Sequence, residues 1–202
     1  MSLVSSAKQS YKSHVMDCHG LWPRSDRCDV KPVLVVACLL ALNVSVHAQG
    51  FEVLPWPAKK PMPVFEATDL NGKVWRLSDL RGRAVLVNFW ASWCEPCRAE
   101  MPSLQALAQH HGPENLLVLA VNFKEPLPSV QRFVQQSALI LPVFLDPQGT
   151  IARQWGVTVF PSTVLLGADG RVQGVLRGEL DWTAAQAARL LAPLLPPTPK
   201  QR

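Results

Sequence analysis

Ala84-Val85-Leu86-Val87-Asn88-Phe89-Trp90-Ala91-Ser92-Trp93-Cys94-Glu95-Pro96-Cys97 joins an unbroken apolar run to two cysteines spaced C-x-x-C. A continuous run of this kind reads as a strand covered on both faces. Met101, Leu104, Leu107 and Ala108 follow at helical spacing, which predicts a helix through about His110. The cysteines therefore fall at a strand-to-helix junction. Two sulfurs on a first helical turn can close into a disulfide with little backbone movement. The first lies where unpaired N–H groups and the positive end of the helix dipole favour a thiolate. Because the thiolate is the attacking species, this placement points to thiol–disulfide exchange.

The 202 residues suffice for one domain with a full core and additional material. The formal charge of +5 is scattered, with no basic block suited to a phosphate backbone, and nucleic acid is not expected as a partner. Cys18, Cys28 and Cys38 all precede residue 48, and only Cys94 and Cys97 follow it. Residues 31–48 carry Lys31, an apolar run and then Val46-x-Ala48, the pattern of a secretory signal peptide cleaved before Gln49. The alternative is an uncleaved N-terminal membrane anchor, for which the run is shorter than the ~20 residues that span a bilayer. Residues 1–30 read as a polar leader, with the start of the chain expected downstream at Met16 or Val30. Cleavage would leave Cys94 and Cys97 as each other's only partner in an exported chain. A redox-active pair fits better than a structural staple, which gains more by closing a longer loop.

Residues 49–63 contain Pro55, Pro57, Pro61 and Pro63 and read as an extended, irregular lead-in. Two short strands flank Asp69-Leu70-Asn71-Gly72, where Asn-Gly signals a hairpin. Beyond the C-x-x-C helix, Leu116 to Val121 reads as a second buried strand and Ser129 to Ser137 as a helix. A short strand at Val143-Phe144-Leu145, a helix from Ile151 to Trp155, two strands around Ala168-Asp169-Gly170 and a helix from Trp182 to Leu191 follow. Residues 196–202 are expected to be a disordered tail. The order implies an α/β fold, a mixed central sheet flanked by helices.

Residues 87–102, 121–125 and Phe160-Pro161-Ser162-Thr163 together resemble a thioredoxin, and more narrowly the exported TlpA/ResA-like thiol:disulfide oxidoreductases. The resemblance covers residues 60–195 and implies a thioredoxin-like domain at 64–195, with an N-terminal β-hairpin and a short insertion before a cis-proline. It implies that Cys94 is the exposed nucleophile, Cys97 the buried resolving thiol and Pro161 the cis-proline that turns the Phe160 backbone toward substrate. Trp93, Glu95 and Pro96 would shape the site. Trp75, Trp155 and Trp182 are expected to serve packing. Asn88 departs from thioredoxin, in which a buried aspartate at this place assists the resolving cysteine. That leaves Glu125 and Glu95 as candidate acid/base groups.

The resemblance further implies reduction of disulfides in exported proteins, with apocytochrome c maturation as the leading pathway. It implies a membrane electron-donor partner, a monomer, a periplasmic or extracytoplasmic location, and no cofactor beyond the Cys94–Cys97 disulfide. A disulfide oxidase or isomerase, a peroxiredoxin-like peroxidase and a binding module remain alternatives. The segment between Val121 and Pro161 is too short for the large helical insertion of strongly oxidising enzymes of this fold. Cys94, Cys97 and His110 mimic the first part of a zinc-finger spacing, but the only histidine that follows is the adjacent His111, where three to five intervening residues are needed, so no metal is expected. Arg98 stands where haem attachment would need histidine.

Overall fold

The computed structural model describes residues 50–197. In chain order the strands are β1 (Phe51–Pro55), β2 (Glu66–Thr68), β3 (Val74–Arg76), β4 (Ala84–Trp90), β5 (Leu116–Phe123), β6 (Val143–Asp146), β7 (Ser162–Leu166) and β8 (Val172–Gly178). The helices are α1 (Glu95–His111), α2 (Leu127–Gln136), α3 (Thr150–Trp155) and α4 (Ala185–Leu191), with a 3₁₀ turn at Leu77–Leu80. The expected leader and signal segment lie outside the described residues, as do residues 198–202 of the tail. No helix among the described residues is long and apolar enough to cross a membrane.

The main sheet has the order β1-β8-β7-β4-β5-β6. β4 is parallel to β5, and β5 to β6, while β4, β7, β8 and β1 pair antiparallel in succession. This is the mixed α/β sheet that the sequence implies. Every residue of β4 is buried, as a continuous apolar strand between two helical layers must be. Leu86 and Trp90 face a core shared with Met101, Leu104 and Leu107 of α1, Val130 of α2 and Leu191 of α4. Val85, Val87 and Phe89 face a second core containing Phe65, Leu77 and Leu80, with Ala152 and Trp155 of α3.

The hairpin forms where Asn-Gly places it. Asp69 fixes its turn by accepting the Asn71 and Lys73 backbone N–H groups and the Trp75 indole N–H. Gly72 adopts φ +83°, a region that favours glycine. The short insertion before Pro161 consists of α2, β6 and α3.

Two local expectations are corrected. The start of the lead-in is not irregular: Phe51–Pro55 pairs with β8 as an edge strand. Its prolines obscured that pattern, although Pro55 sits at the strand's end on a sheet edge, where a missing N–H is tolerated. Gly174 makes the close pairing possible, because a Cβ there would meet the Leu54 carbonyl oxygen at 2.8 Å. The last helix begins at Ala185 rather than Trp182, because the Asp181 carboxylate captures the Thr183 N–H and hydroxyl in a turn.

Candidate active site

β4 ends at Trp90, and a short turn carries the chain into α1, whose N-cap residue is Cys94. Cys94 Sγ accepts a hydrogen bond from the Cys97 backbone N–H at 3.3 Å, one of the N–H groups a helix leaves unpaired at its start. Pro96 occupies the first helical turn, where its lack of an N–H costs nothing. Cys94 and Cys97 form a disulfide, with Cα atoms 5.3 Å apart. Cys94 keeps 6 % of its surface and Cys97 none. Cys94 is thus the more accessible residue of the pair, though more enclosed than the resemblance implies.

Trp93, next to Cys94 in the chain, begins a run of aromatic contacts. Trp93 is 65 % exposed, and its ring meets that of Phe160 edge-to-face at 6.3 Å. Phe160 packs in turn on Phe123 at 4.6 Å. The Phe160–Pro161 peptide bond is cis. Val159, beside it, is also exposed.

The three carboxylates near the junction differ sharply. Glu95 faces solvent and pairs with Arg98 at 3.2 Å, so it is not a buried neighbour of the thiols. Glu125 is buried and accepts the Ser92 backbone N–H at 2.6 Å, the Ser92 hydroxyl at 2.5 Å and the Asn122 amide at 2.6 Å. It bolts the turn before Cys94 to the end of β5. Glu100 had no expected role, yet it is the carboxylate the helix directs inward. It lies one turn beyond Cys97 and is buried.

The Asn88 amide donates to Glu100 Oε1 at 2.6 Å and to Thr163 Oγ1 at 3.0 Å. The Trp182 indole N–H lies 3.4 Å from Glu100 Oε2. Burial pushes the Glu100 carboxyl up to about 7, against the opposing pull of the Asn88 and Trp182 hydrogen bonds. Asn88 therefore does not replace a buried acid with a neutral interior: it holds one. The signal was legible in the sequence. Glu100 interrupts the apolar face marked by Cys97, Met101, Leu104 and Leu107 at i+3 and i+4 spacing.

Among the described residues, no group of three or more histidine, cysteine, aspartate or glutamate side chains is arranged to hold a metal ion. His110 and His111 meet edge-to-face at the far end of α1.

A mixed sheet with C-x-x-C heading the helix after its central strand, and a cis-proline bond before β7, defines a thioredoxin-like thiol-disulfide oxidoreductase. The model of the AhpC/TSA family matches residues 58–175, and the chain belongs to that family. It is 32 % identical over 158 residues to thiol-disulfide oxidoreductase ResA of Geobacillus thermodenitrificans strain NG80-2, covering 78 % of this chain and 91 % of that one. Thiol-disulfide oxidoreductase ResA of Bacillus subtilis strain 168 is 35 % identical over 150 residues, covering 73 % and 82 %. Among solved structures, a thiol:disulfide interchange protein of the thioredoxin family from Chlorobium tepidum TLS matches with a TM-score of 0.58 at 28 % identity. That match covers 65 % of this chain and 93 % of the other.

Proposed function

We propose that the protein reduces disulfides in exported proteins on the outer side of the cytoplasmic membrane, with apocytochrome c before haem attachment as its substrate. The observation that carries this reading is the head of α1: Cys94 at the N-cap, Cys97 buried beside it, and the buried carboxylate of Glu100 one turn further on.

In the reduced protein the Cys94 thiolate attacks one sulfur of a substrate disulfide. A Cys94–substrate bond forms, the substrate S–S bond breaks, and the departing sulfur leaves as a thiolate that takes up a proton. Glu100 accepts the proton of Cys97, whose thiolate then attacks Cys94 Sγ and releases the second substrate sulfur. Two electrons pass to the substrate, and the Cys94–Cys97 disulfide remains. A carboxyl poised near neutrality suits proton transfer at physiological pH. Trp93, Phe160 and Pro161 give the substrate chain an apolar landing surface beside Cys94. Glu95 and Pro96 shape the first turn, and Glu125 holds the turn before it.

A membrane electron-donor protein returns the disulfide to dithiol, and the protein works as a monomer without a further cofactor. Export is supported by the signal pattern at 31–48. The reducing direction is supported by the resemblance and by the small size of the insertion between β5 and Pro161.

The deciding measurement is the equilibrium reduction potential of the Cys94–Cys97 pair. A value near or below about −270 mV is expected of a reductant, whereas a value near about −120 mV would make the protein a disulfide donor and overturn the direction.

A further inference from the structure

Trp182 lies in the turn between β8 and α4, in the same buried core as Cys94 and Cys97, and packing alone does not account for how it is held. It is 1 % exposed, and its indole N–H points at Glu100 Oε2, the oxygen that Asn88 leaves free. The same turn is tied to α1 a second time. The Trp182 backbone N–H donates to Ser103 Oγ at 3.1 Å, and the Ser103 hydroxyl donates to the Glu100 carbonyl oxygen at 2.8 Å. Of the three fully buried tryptophans among the described residues, Trp90 and Trp155 have no protein partner for their indole N–H, and Trp182 has its N–H paired. Burial of an indole in this core therefore does not by itself dictate such a contact.

We propose that Trp182 is a positioning residue for the exchange reaction: its indole N–H anchors the outer oxygen of Glu100 and favours the ionised carboxylate, the form that can take a proton from Cys97. The inference rests on the reading of Glu100 as that acceptor.

The indole N–H donates and cannot accept, and its bond to a charged carboxylate is stronger than its bond to the neutral acid, so it favours the charged form. Without it, the charged form of Glu100 would lose one of its few buried donors, which costs it further. The other groups facing Glu100 do not duplicate this role. Asn88 on β4 is neutral and occupies Oε1, the Leu180 backbone N–H assists, and the Glu179 carboxylate opposes ionisation. On its own helix, Cys97 lies one turn before it. Among the described residues no lysine or arginine pairs with Glu100.

The test uses the reduced protein mixed with 5,5′-dithiobis(2-nitrobenzoate). The first thionitrobenzoate released reports attack by Cys94, and the second reports resolution by Cys97. In the wild type, the second rate is expected to rise with pH around the Glu100 inflection. Trp182→Phe, which keeps an aromatic ring and removes the N–H, should move that inflection up by about 0.5–1 pH unit and leave the first rate unchanged. A benzothiophene side chain at position 182, isosteric with indole but without the N–H, should do the same.

Glu100→Gln should abolish the inflection, and adding Trp182→Phe to it should change nothing further. If Glu100→Gln retains the wild-type inflection, the Glu100 reading falls, and this inference with it. If Glu100→Gln removes it but both Trp182 variants leave it in place, only the role of Trp182 is overturned. A slowing of both releases to the same degree would also overturn it, as the mark of general loosening. Should the variants fail to fold, the indole N–H resonance of Trp182 in the wild type decides. It should titrate with the Glu100 inflection and be flat in Glu100→Gln, and a flat wild-type profile sinks the proposal.

Discussion

Glu100 gives the folded state a pH dependence opposite to that of a carboxylate held in a salt bridge. Burial raises its pKa from the ordinary 4.5 to about 7, so between those values the folded chain holds a proton that the unfolded chain has released. Its contribution to stability is fully present below about pH 4.5 and is lost as pH rises through about 7, a difference on the order of 3 kcal/mol. Glu100→Gln removes the charge and keeps an oxygen for the Asn88 amide. The variant should match the wild type in stability near pH 5 and exceed it by about 1–3 kcal/mol at pH 8. Urea unfolding of both oxidised proteins at the two pH values measures this, and a less stable variant at pH 8 would contradict it. Tolerance of such a cost at one buried position is what a proton-transfer role would explain. The identity of Glu100 was readable on the apolar stripe of α1, but its partners were not. Asn88 comes from a neighbouring strand and Trp182 from a turn more than eighty residues away in sequence.

At the scale of elements, the active-site turn depends on a clamp rather than on its own propensity. Residues 91–94 join a buried strand to a helix, and Glu125 holds them by accepting both the N–H and the hydroxyl of Ser92 while Asn122 steadies the other side. Glu125→Ala removes three hydrogen bonds to one carboxylate and should cost about 2–4 kcal/mol of stability. Both thionitrobenzoate releases should slow together with no movement of the pH inflection, because the turn that presents Cys94 loosens. A moved inflection would instead return Glu125 to the acid/base role that the sequence suggested. Elements announced by local chemistry were legible: the apolar β4, the Asn-Gly hairpin and α1 with its C-x-x-C. β1 was hidden because prolines at 55, 57, 61 and 63 set the character of the window, while the glycine that admits its close pairing lies across the sheet at 174. The family motif pointed to Glu125 as a candidate acid/base group. What it does there required the Ser92 contacts, which join residues thirty-three apart.

Across the whole sheet, the strand missed in the sequence closes one edge and the hairpin guards the other. Asp69 bridges to Phe144, and the Leu70 N–H bonds to the Val143 carbonyl, so β6 does not present its full length to solvent. At the opposite edge, β1 covers β8 over five residues, with Phe51 and Leu54 half-buried. A chain beginning at residue 57 would uncover β8, leaving a row of unpaired N–H and C=O groups open to a second molecule. Losing Phe51, Leu54 and Trp56, three half-buried large side chains of which Trp56 packs on Trp155, removes roughly 2–5 kcal/mol of apolar burial. The truncated protein should therefore unfold at lower urea and scatter more light with rising concentration than the full-length chain. Its first thionitrobenzoate release should stay near the wild-type rate, since the turn that carries Cys94 is held by β4, α1 and the Glu125 clamp. Unchanged stability together with unchanged association would show that β1 is an ornament of the edge. A collapsed first rate would show that residues 50–56 reach further into the site, through the groove that Gly50, Phe51 and Glu52 share with Val159 and Phe160.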